Sequence, residues 1–235
     1  SLKIKRGTIT GIIGPNGSGK STLFNLIAGS LKPNSGKVLF NNEDITNVPS
    51  HDLFSKGILR TFQIAHEFTN LTVLENLMMV PSNQLGENLI SALFTRKKFK
   101  LQEDEIRDKA YSVTEFLNLK HLANELAGNL SGGQKKLLEL GRTMMVDSKL
   151  VLLDEVGAGV NRTLLKDLGS AILKLNKEKG YTFCMIEHDM DFISRMCDPV
   201  IVLSEGSVLF EGTSEEVKSN ELVIESYLGR SNKQN

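Results

Sequence analysis

Short apolar runs that end in polar or glycine-rich segments recur along the chain and predict the strands of a sheet. They lie at residues 1–7, 8–13, 37–40, 149–153, 181–186, 199–203 and 207–211. The last two flank Glu205-Gly206, a dipeptide that predicts a hairpin. The runs at 149–153 and 181–186 end in acidic residues. Buried parallel strands end in this way where their carboxyl edge forms a ligand crevice.

Helical periodicity follows the second run and dominates the middle of the chain. Leu23, Leu26 and Ile27 recur at helical spacing until Gly29, so the first clear unit is strand, glycine-rich loop and helix. Residues 71–141 show mostly helical periodicity. We therefore predict one α/β domain with a mostly parallel sheet, an antiparallel β edge and an inserted helical subdomain. Its core covers about 1–70 and 142–235, and its helical subdomain about 71–141.

Composition narrows the class of protein. The 235 residues are 40% hydrophobic and 24% charged, as in soluble globular proteins, and no run approaches the roughly 20 apolar residues of a bilayer span. If the protein acts at a membrane, we therefore expect a partner protein to attach it there. The formal net charge is zero, so we expect no nucleic-acid partner. Cys184 and Cys197 are predicted to be buried hydrophobes.

The glycine-rich loop carries the strongest chemical signal. It matches G-x-x-x-x-G-K-[ST] between a strand and a helix, which is typical of the P-loop of nucleotide hydrolases. Its backbone N–H groups and the helix start would bind phosphates, with Lys20 at the β- and γ-phosphates and the Ser21 hydroxyl on Mg²⁺. A glycine-rich turn with an incidental lysine is the alternative, and the strand–helix context disfavours it. The predicted ATP-binding residues are Gly14, Pro15, Asn16, Gly17, Ser18, Gly19, Lys20, Ser21 and Thr22.

Polar residues near other strand ends predict the remaining catalytic groups. Asp154 follows a buried strand and is predicted to hold Mg²⁺, and Glu155 is predicted to activate the attacking water as a general base. His188 would contact the γ-phosphate and orient the water. Gln63 would reach the metal or the water through its amide oxygen. Each residue alone has a structural alternative, such as a helix cap for Asp154.

A second possible anion site lies at Ser131-Gly132-Gly133-Gln134, before another helical run. One nucleotide cannot easily use two distant sites of one subunit. A head-to-tail dimer would resolve this, because each ATP would lie between the glycine-rich loop of one chain and these four residues of the other. A plain helix cap at Ser131 is the alternative.

These motifs, in this order, resemble those of the ABC ATPases. Residues 14–22, Gln63, 130–134, 150–155 and His188 correspond to the Walker A, Q-loop, signature, Walker B and switch-histidine elements, and they span nearly the whole chain. The resemblance implies a P-loop NTPase fold, ATP and Mg²⁺ as cofactors, and a second ATPase subunit in a homo- or heterodimer. It also implies transmembrane permease subunits at the cytoplasmic face of the membrane, contacted by the helical subdomain, with Gln63 at the hinge.

A narrower resemblance is to the ATP-binding subunits of branched-chain amino-acid transporters. It rests on residues 60–63, 71–77, 158–161, 186–190 and 227–229, and related urea and lipopolysaccharide transporters share parts of it. It implies amino-acid uptake. Val156 departs from the family, which usually has proline there, and we expect looser placement of Glu155 with activity retained. The family's adenine-stacking aromatic residue precedes the segment 1–7 and has no equivalent in the sequence.

Three other functions are weighed against this one. A soluble ABC ATPase that acts on ribosomes or DNA usually carries tandem cassettes or coiled-coil insertions, and neither pattern is found here. An export ATPase would share the same motifs. A non-hydrolysing scaffold would need a replaced Glu155 or His188, and both residues are present.

Overall fold

The described strands form one mostly parallel sheet and one small antiparallel sheet. The computed structural model describes residues 1–61, 68–81 and 96–228. The strands of the main sheet are β1 Ile9–Ile13, β4 Ile58–Arg60, β5 Leu150–Asp154, β6 Thr182–Ile186, β7 Val200–Ser204 and β8 Ser207–Gly212. A separate two-stranded antiparallel sheet contains β2 Leu39–Phe40 and β3 Glu43–Asp44.

The main sheet has the order β4-β5-β6-β1-β7-β8. Neighbouring strands from β4 to β7 are parallel, and β8 pairs antiparallel with β7. Every residue of β1, β5 and β6 is buried, as their continuous apolar sequences predict. Glu205 and Gly206 both have positive φ, 48° and 78°, which a type I′ hairpin turn requires. The predicted mostly parallel sheet with an antiparallel edge is confirmed.

Helices and short 3₁₀ turns connect the strands. The described helices are α1 Lys20–Ile27, α2 Ser50–Ser55, α3 Val73–Met78, α4 Arg96–Phe116, α5 Gly132–Met144, α6 Arg162–Lys179, α7 Met190–Met196, α8 Ser214–Ser219 and α9 Glu221–Leu228. The 3₁₀ turns lie at Lys120–Leu122 and Ala127–Asn129. None of the helices in the described part of the chain is long and apolar enough to cross a membrane.

The chain divides into two compact units. The core unit comprises Ser1–Gln63, Ser148–Ala158 and Ile172–Asn235, and the helical unit comprises Ile64–Asp147 and Gly159–Ala171. The helical subdomain at about 71–141 stays a prediction from the sequence. Helix α6 contributes residues to both units.

The core unit is built on aliphatic strand residues packed against α1. Phe24 of α1 is fully buried in one cluster with Ile12 of β1, Leu152 of β5 and Ile186 of β6. Cys184 belongs to the same cluster, and both cysteines are free and buried, as predicted. This packing fixes α1, and with it the preceding glycine-rich loop, against the strands that end in acidic residues.

The helical unit depends on close helix packing and one buried amide. A Cβ atom on Gly141 of α5 would lie 2.8 Å from Leu117 and 3.2 Å from Leu77, so glycine lets the helices approach closely. The Asn76 side chain is fully buried and donates hydrogen bonds to the carbonyl groups of Phe68, Leu71 and Thr72. Such a satisfied amide fixes the start of α3.

The segment 1–7 is not a strand, so that prediction is wrong. Residues 1–5 have no strand pairing among the described residues. Side chains hold the end of the segment instead: the Gly7 N–H donates to Thr182 Oγ1 at 2.9 Å, and Asn176 Nδ2 donates to the Gly7 carbonyl at 2.8 Å. The alternating residues of the segment fit a strand, but a strand requires a partner, which the pattern alone does not supply.

Candidate nucleotide-binding site

The glycine-rich loop is tightly curled between β1 and α1. Gly14, Gly17 and Gly19 have φ of 147°, 76° and 101°, which side chains rarely allow. A Cβ atom on Gly14 would lie 2.1 Å from the Leu203 carbonyl oxygen, so the loop touches the end of β7 directly. The Gly206 N–H donates to the Ser18 carbonyl at 3.0 Å and braces the other side of the loop.

The loop presents groups that suit phosphate. Helix α1 begins after Gly19, which as a glycine provides no side-chain cap for the N–H groups at the helix start. Lys20 is 6% exposed, and its Nζ donates to the carbonyl oxygens of Gly14 and Pro15 at 2.8 and 3.1 Å. The Ser18 hydroxyl is buried and has no hydrogen-bond partner among the described residues. A phosphate oxygen would satisfy such donors.

The residues predicted to bind Mg²⁺ have suitable chemistry. Ser21 follows Lys20 in the first turn of α1 and is exposed, and Asp154 ends β5. Mg²⁺ is usually bound by one or two protein oxygens together with substrate phosphates and water. In the described part of the chain no group of three or more His, Cys, Asp or Glu side chains is placed to hold a metal.

Arg60 makes buried contacts beside Asp154 that the sequence pattern does not predict. Its Nη2 lies 2.7 Å from Asp154 Oδ2, and the two side chains are 14% and 10% exposed. Its Nη1 donates to Asn25 Oδ1, and the guanidinium lies 6.0 Å from the centre of the Phe24 ring. Arg60 thus joins the end of β4, helix α1 and the end of β5. Arg60 ends a short strand, as Asp154 does, and a charged residue at the end of an apolar run is the signal that could have identified it.

We expect Arg60→Met to destabilise the nucleotide-free protein by about 3–5 kcal/mol, because the variant leaves the buried Asp154 carboxylate without its counter-charge. Urea unfolding of wild type, Arg60→Met, Asp154→Asn and the double variant would measure the coupling. The double variant should lose clearly less free energy of unfolding than the sum of the losses in the two single variants. Lys37→Met, which removes an exposed ion pair with Asp44, is the control. Strictly additive losses would contradict the proposed coupling.

The structure brings Glu155 and His188 together. His188 Nε2 lies 2.9 Å from Glu155 Oε1, and the side chains are 51% and 25% exposed. Glu155 has φ of 49°, an uncommon conformation for a residue with a side chain, and its N–H donates to the Ile186 carbonyl at 2.9 Å. The following Val156 is 4% exposed, so this residue packs in the interior where the family usually has proline. A carboxylate and an imidazole in contact can act together in a proton transfer.

The predicted signature residues form the start of α5 in the helical unit. Ser131 Oγ accepts the Gln134 N–H at 3.4 Å, and Gln134 Oε1 accepts the Ser131 N–H at 2.9 Å, which is a capping box. Gly132 is exposed, and a Cβ atom on Gly133 would lie 2.4 Å from the Leu164 side chain. The side chains of Ser131 and Gln134 are thus both engaged in the cap, and Ser131 and Gly132 lie at the surface. The predicted site residue Gln63 lies outside the described residues.

Comparison with known proteins identifies the family. Residues 1–158 match the ABC transporter family, and residues 207–231 match the family described as branched-chain amino acid ATP-binding cassette transporter. The first match covers the glycine-rich loop, the signature residues, Asp154 and Glu155.

The chain belongs to the ABC transporter family.

Relatives are similar to this ABC protein in sequence and structure over nearly its full length. It is 44% identical over 233 residues to the probable branched-chain amino acid transport ATP-binding protein LivG of Methanocaldococcus jannaschii, covering 97% of this chain and 90% of the relative. A nucleotide-free ATP-binding cassette from an ABC transporter superposes with a TM-score of 0.81 at 43% identity, covering 96% and 90% of the two chains. A dimeric cassette in a post-hydrolysis state, bound to ADP and Pi, superposes with a TM-score of 0.71 at 28% identity, covering 91% and 88%.

Family membership fixes the general activity of this ABC protein. It is a nucleotide-binding ATPase subunit of the ABC type with the P-loop NTPase fold. The predicted family, fold class and enzyme class are confirmed.

Proposed function

We propose that this ABC protein hydrolyses Mg²⁺·ATP to power a membrane transporter that takes up branched-chain amino acids. The observation that carries the hydrolytic part is the contact between Glu155 and His188, 2.9 Å apart, in the same compact unit as the glycine-rich loop. The named function of the relative, branched-chain amino acid transport, supports the substrate class. The match at residues 207–231 supports it independently of the nucleotide site.

Different residues of the core unit would have different roles in hydrolysis. Lys20 and the N–H groups at the start of α1 would bind the β- and γ-phosphates, and Glu155 would accept the proton of the attacking water. His188, in contact with Glu155, would orient that water. Ser21 and Asp154 would hold Mg²⁺, which supplies positive charge at the transferring phosphoryl group when bound. Gln63 is proposed as a further contact to the metal or the water.

Two subunits would share each ATP. Ser131, Gly132 and Gly133 of one chain would face the γ-phosphate that is bound by the glycine-rich loop of the other. The exposed position of Ser131 and Gly132 supports this, as does the dimeric state of the solved relative. Because the ligand contacts both chains, binding of ATP would favour the closed dimer, and hydrolysis would allow it to open. The same scheme applies to a homodimer and to a heterodimer.

The helical unit is proposed to contact transmembrane permease subunits. ABC transporters combine ATP-binding subunits with membrane subunits, and membership in that family supports such a partner here. The subunit would then lie at the cytoplasmic face of the membrane. The solute would be recognised by other subunits.

Phosphate release by the purified protein tests the hydrolytic part of the proposal. We expect release with ATP and Mg²⁺, and its loss in EDTA. Uptake of labelled leucine, isoleucine and valine by source cells that lack this chain tests the substrate class: the wild-type chain should restore uptake, and Lys20→Met should not. Hydrolysis without any uptake defect would overturn the amino-acid proposal, and absence of hydrolysis with Mg²⁺ would overturn the ATPase proposal.

A further inference from the structure

Glu187 is a buried carboxylate beside the candidate general base. It follows β6 and is only 6% exposed. Burial raises the pKa of Glu187, backbone N–H groups of Gly157 and His188 oppose that rise, and the nearby Glu155 charge adds to it. Burying a carboxylate is costly, and an apolar residue would serve simple packing better. Groups of this kind are often retained for function.

The contacts of Glu187 lead to the turn that carries Glu155. Glu187 Oε1 accepts the Gly157 N–H at 2.8 Å, two residues beyond Glu155. The turn is also closed by the Ala158 N–H, which donates to the Glu155 carbonyl at 3.1 Å. Since Glu155 has φ of 49°, its backbone conformation needs support from its surroundings.

Three consecutive residues therefore hold this turn. The Ile186 carbonyl accepts the Glu155 N–H at 2.9 Å, Glu187 binds Gly157, and His188 Nε2 contacts Glu155 Oε1 at 2.9 Å. The contacts form a closed ring from Glu155 through Gly157 and Glu187 to His188, and back to Glu155. A shift of Gly157 would move the Glu155 backbone and alter its contact with His188.

We propose that Glu187 is a positioning residue for ATP hydrolysis: its carboxylate holds the Gly157 N–H and thereby keeps Glu155 within reach of His188 and the attacking water. The inference rests on the proposed role of Glu155 as the base. It assigns Glu187 no contact with the nucleotide, because its described hydrogen bond goes to the backbone of Gly157.

Two substitutions separate this role from simple packing. Glu187→Gln keeps an oxygen that can accept the Gly157 N–H, and Glu187→Met keeps the length of the side chain but removes the acceptor. We expect Glu187→Met to lower kcat by about 10- to 100-fold, since small misplacements of a catalytic group are costly. Glu187→Gln should keep most of the wild-type kcat. The affinity for ATP, measured with a fluorescent analogue, should stay unchanged in both. Glu178→Met, at an exposed carboxylate on α6, is the control.

Hydrogen exchange keeps the test independent of activity. The Gly157 amide should exchange faster in Glu187→Met than in wild type and Glu187→Gln, with circular dichroism confirming that all variants are folded. Wild-type kcat in Glu187→Met, or unchanged Gly157 exchange, would overturn the inference. Equal loss of kcat in Glu187→Gln and Glu187→Met would also overturn it, because charge would then matter more than the hydrogen bond. If the wild type hydrolyses no ATP, the proposed function fails, whereas accelerated Gly157 exchange would still establish the contact.

Discussion

Replacing Glu155 by glutamine is expected to lower the rate of ATP hydrolysis by about 10²- to 10⁴-fold, the usual contribution of a general base. Glutamine has the same shape and can keep the contact with His188, but it cannot accept the proton of the attacking water. The phosphate-binding residues, led by Lys20, are unchanged, so ATP should bind with near wild-type affinity. Phosphate release and equilibrium ATP binding, measured on the same samples, would separate these two effects.

The same variant also tests the shared site. If each ATP is bound between two subunits, blocked hydrolysis should accumulate an ATP-bound dimer, which size-exclusion chromatography with ATP and Mg²⁺ would detect. Glu178→Gln, at an exposed position of α6, should hydrolyse ATP and dimerise as wild type does. A Glu155→Gln protein that retains its rate would show that another group accepts the proton. One that binds ATP but stays monomeric would argue against a site shared by Ser131 and Gly132 of the partner subunit.

The sequence predicts the main elements of the candidate site because polar groups at the ends of apolar strands are visible as a pattern. Asp154 ends one buried strand and Glu155 follows it, His188 comes after the next strand, and parallel pairing places both strand ends at the same edge. The contact between His188 and Glu155 follows from that register. The glycine-rich loop is predicted equally well, since its conformation is local and depends on glycines within six residues.

Contacts between distant residues are harder to predict. Arg60 and Asp154 are 94 residues apart, and their pairing depends on β4 lying beside β5, although β4 has only three residues.

Gln134 is difficult to assign from the sequence because its motif has two meanings. Ser131-x-x-Gln134 matches both a capping box and a phosphate-binding signature, and the structure uses the glutamine side chain in the cap.

Replacing Lys20 by methionine is expected to weaken ATP binding by about 30-fold or more, because truncating one partner of a buried charge pair costs roughly 2–5 kcal/mol. Methionine keeps the apolar stem and removes the ammonium group. In the structure that group donates to the Gly14 and Pro15 carbonyls, so it is already held at the centre of the loop where phosphates would lie. Titration with a fluorescent ATP analogue at fixed Mg²⁺ would measure the change.

The control must show that weaker ATP binding results from removing the charge at Lys20 and not from removing any positive charge of the protein. Lys37→Met removes a lysine that is 73% exposed and paired with Asp44, so its ATP affinity should match wild type. Circular dichroism must show that Lys20→Met is folded, because the variant also loses two hydrogen bonds within the loop. Unchanged affinity in a folded Lys20→Met protein would mean that the phosphates bind elsewhere. If ATP binding is weaker in Lys20→Met and unchanged in Lys37→Met, the phosphates bind at the curled loop. The Lys20 ammonium group, which that loop encloses, is then the cation that matters.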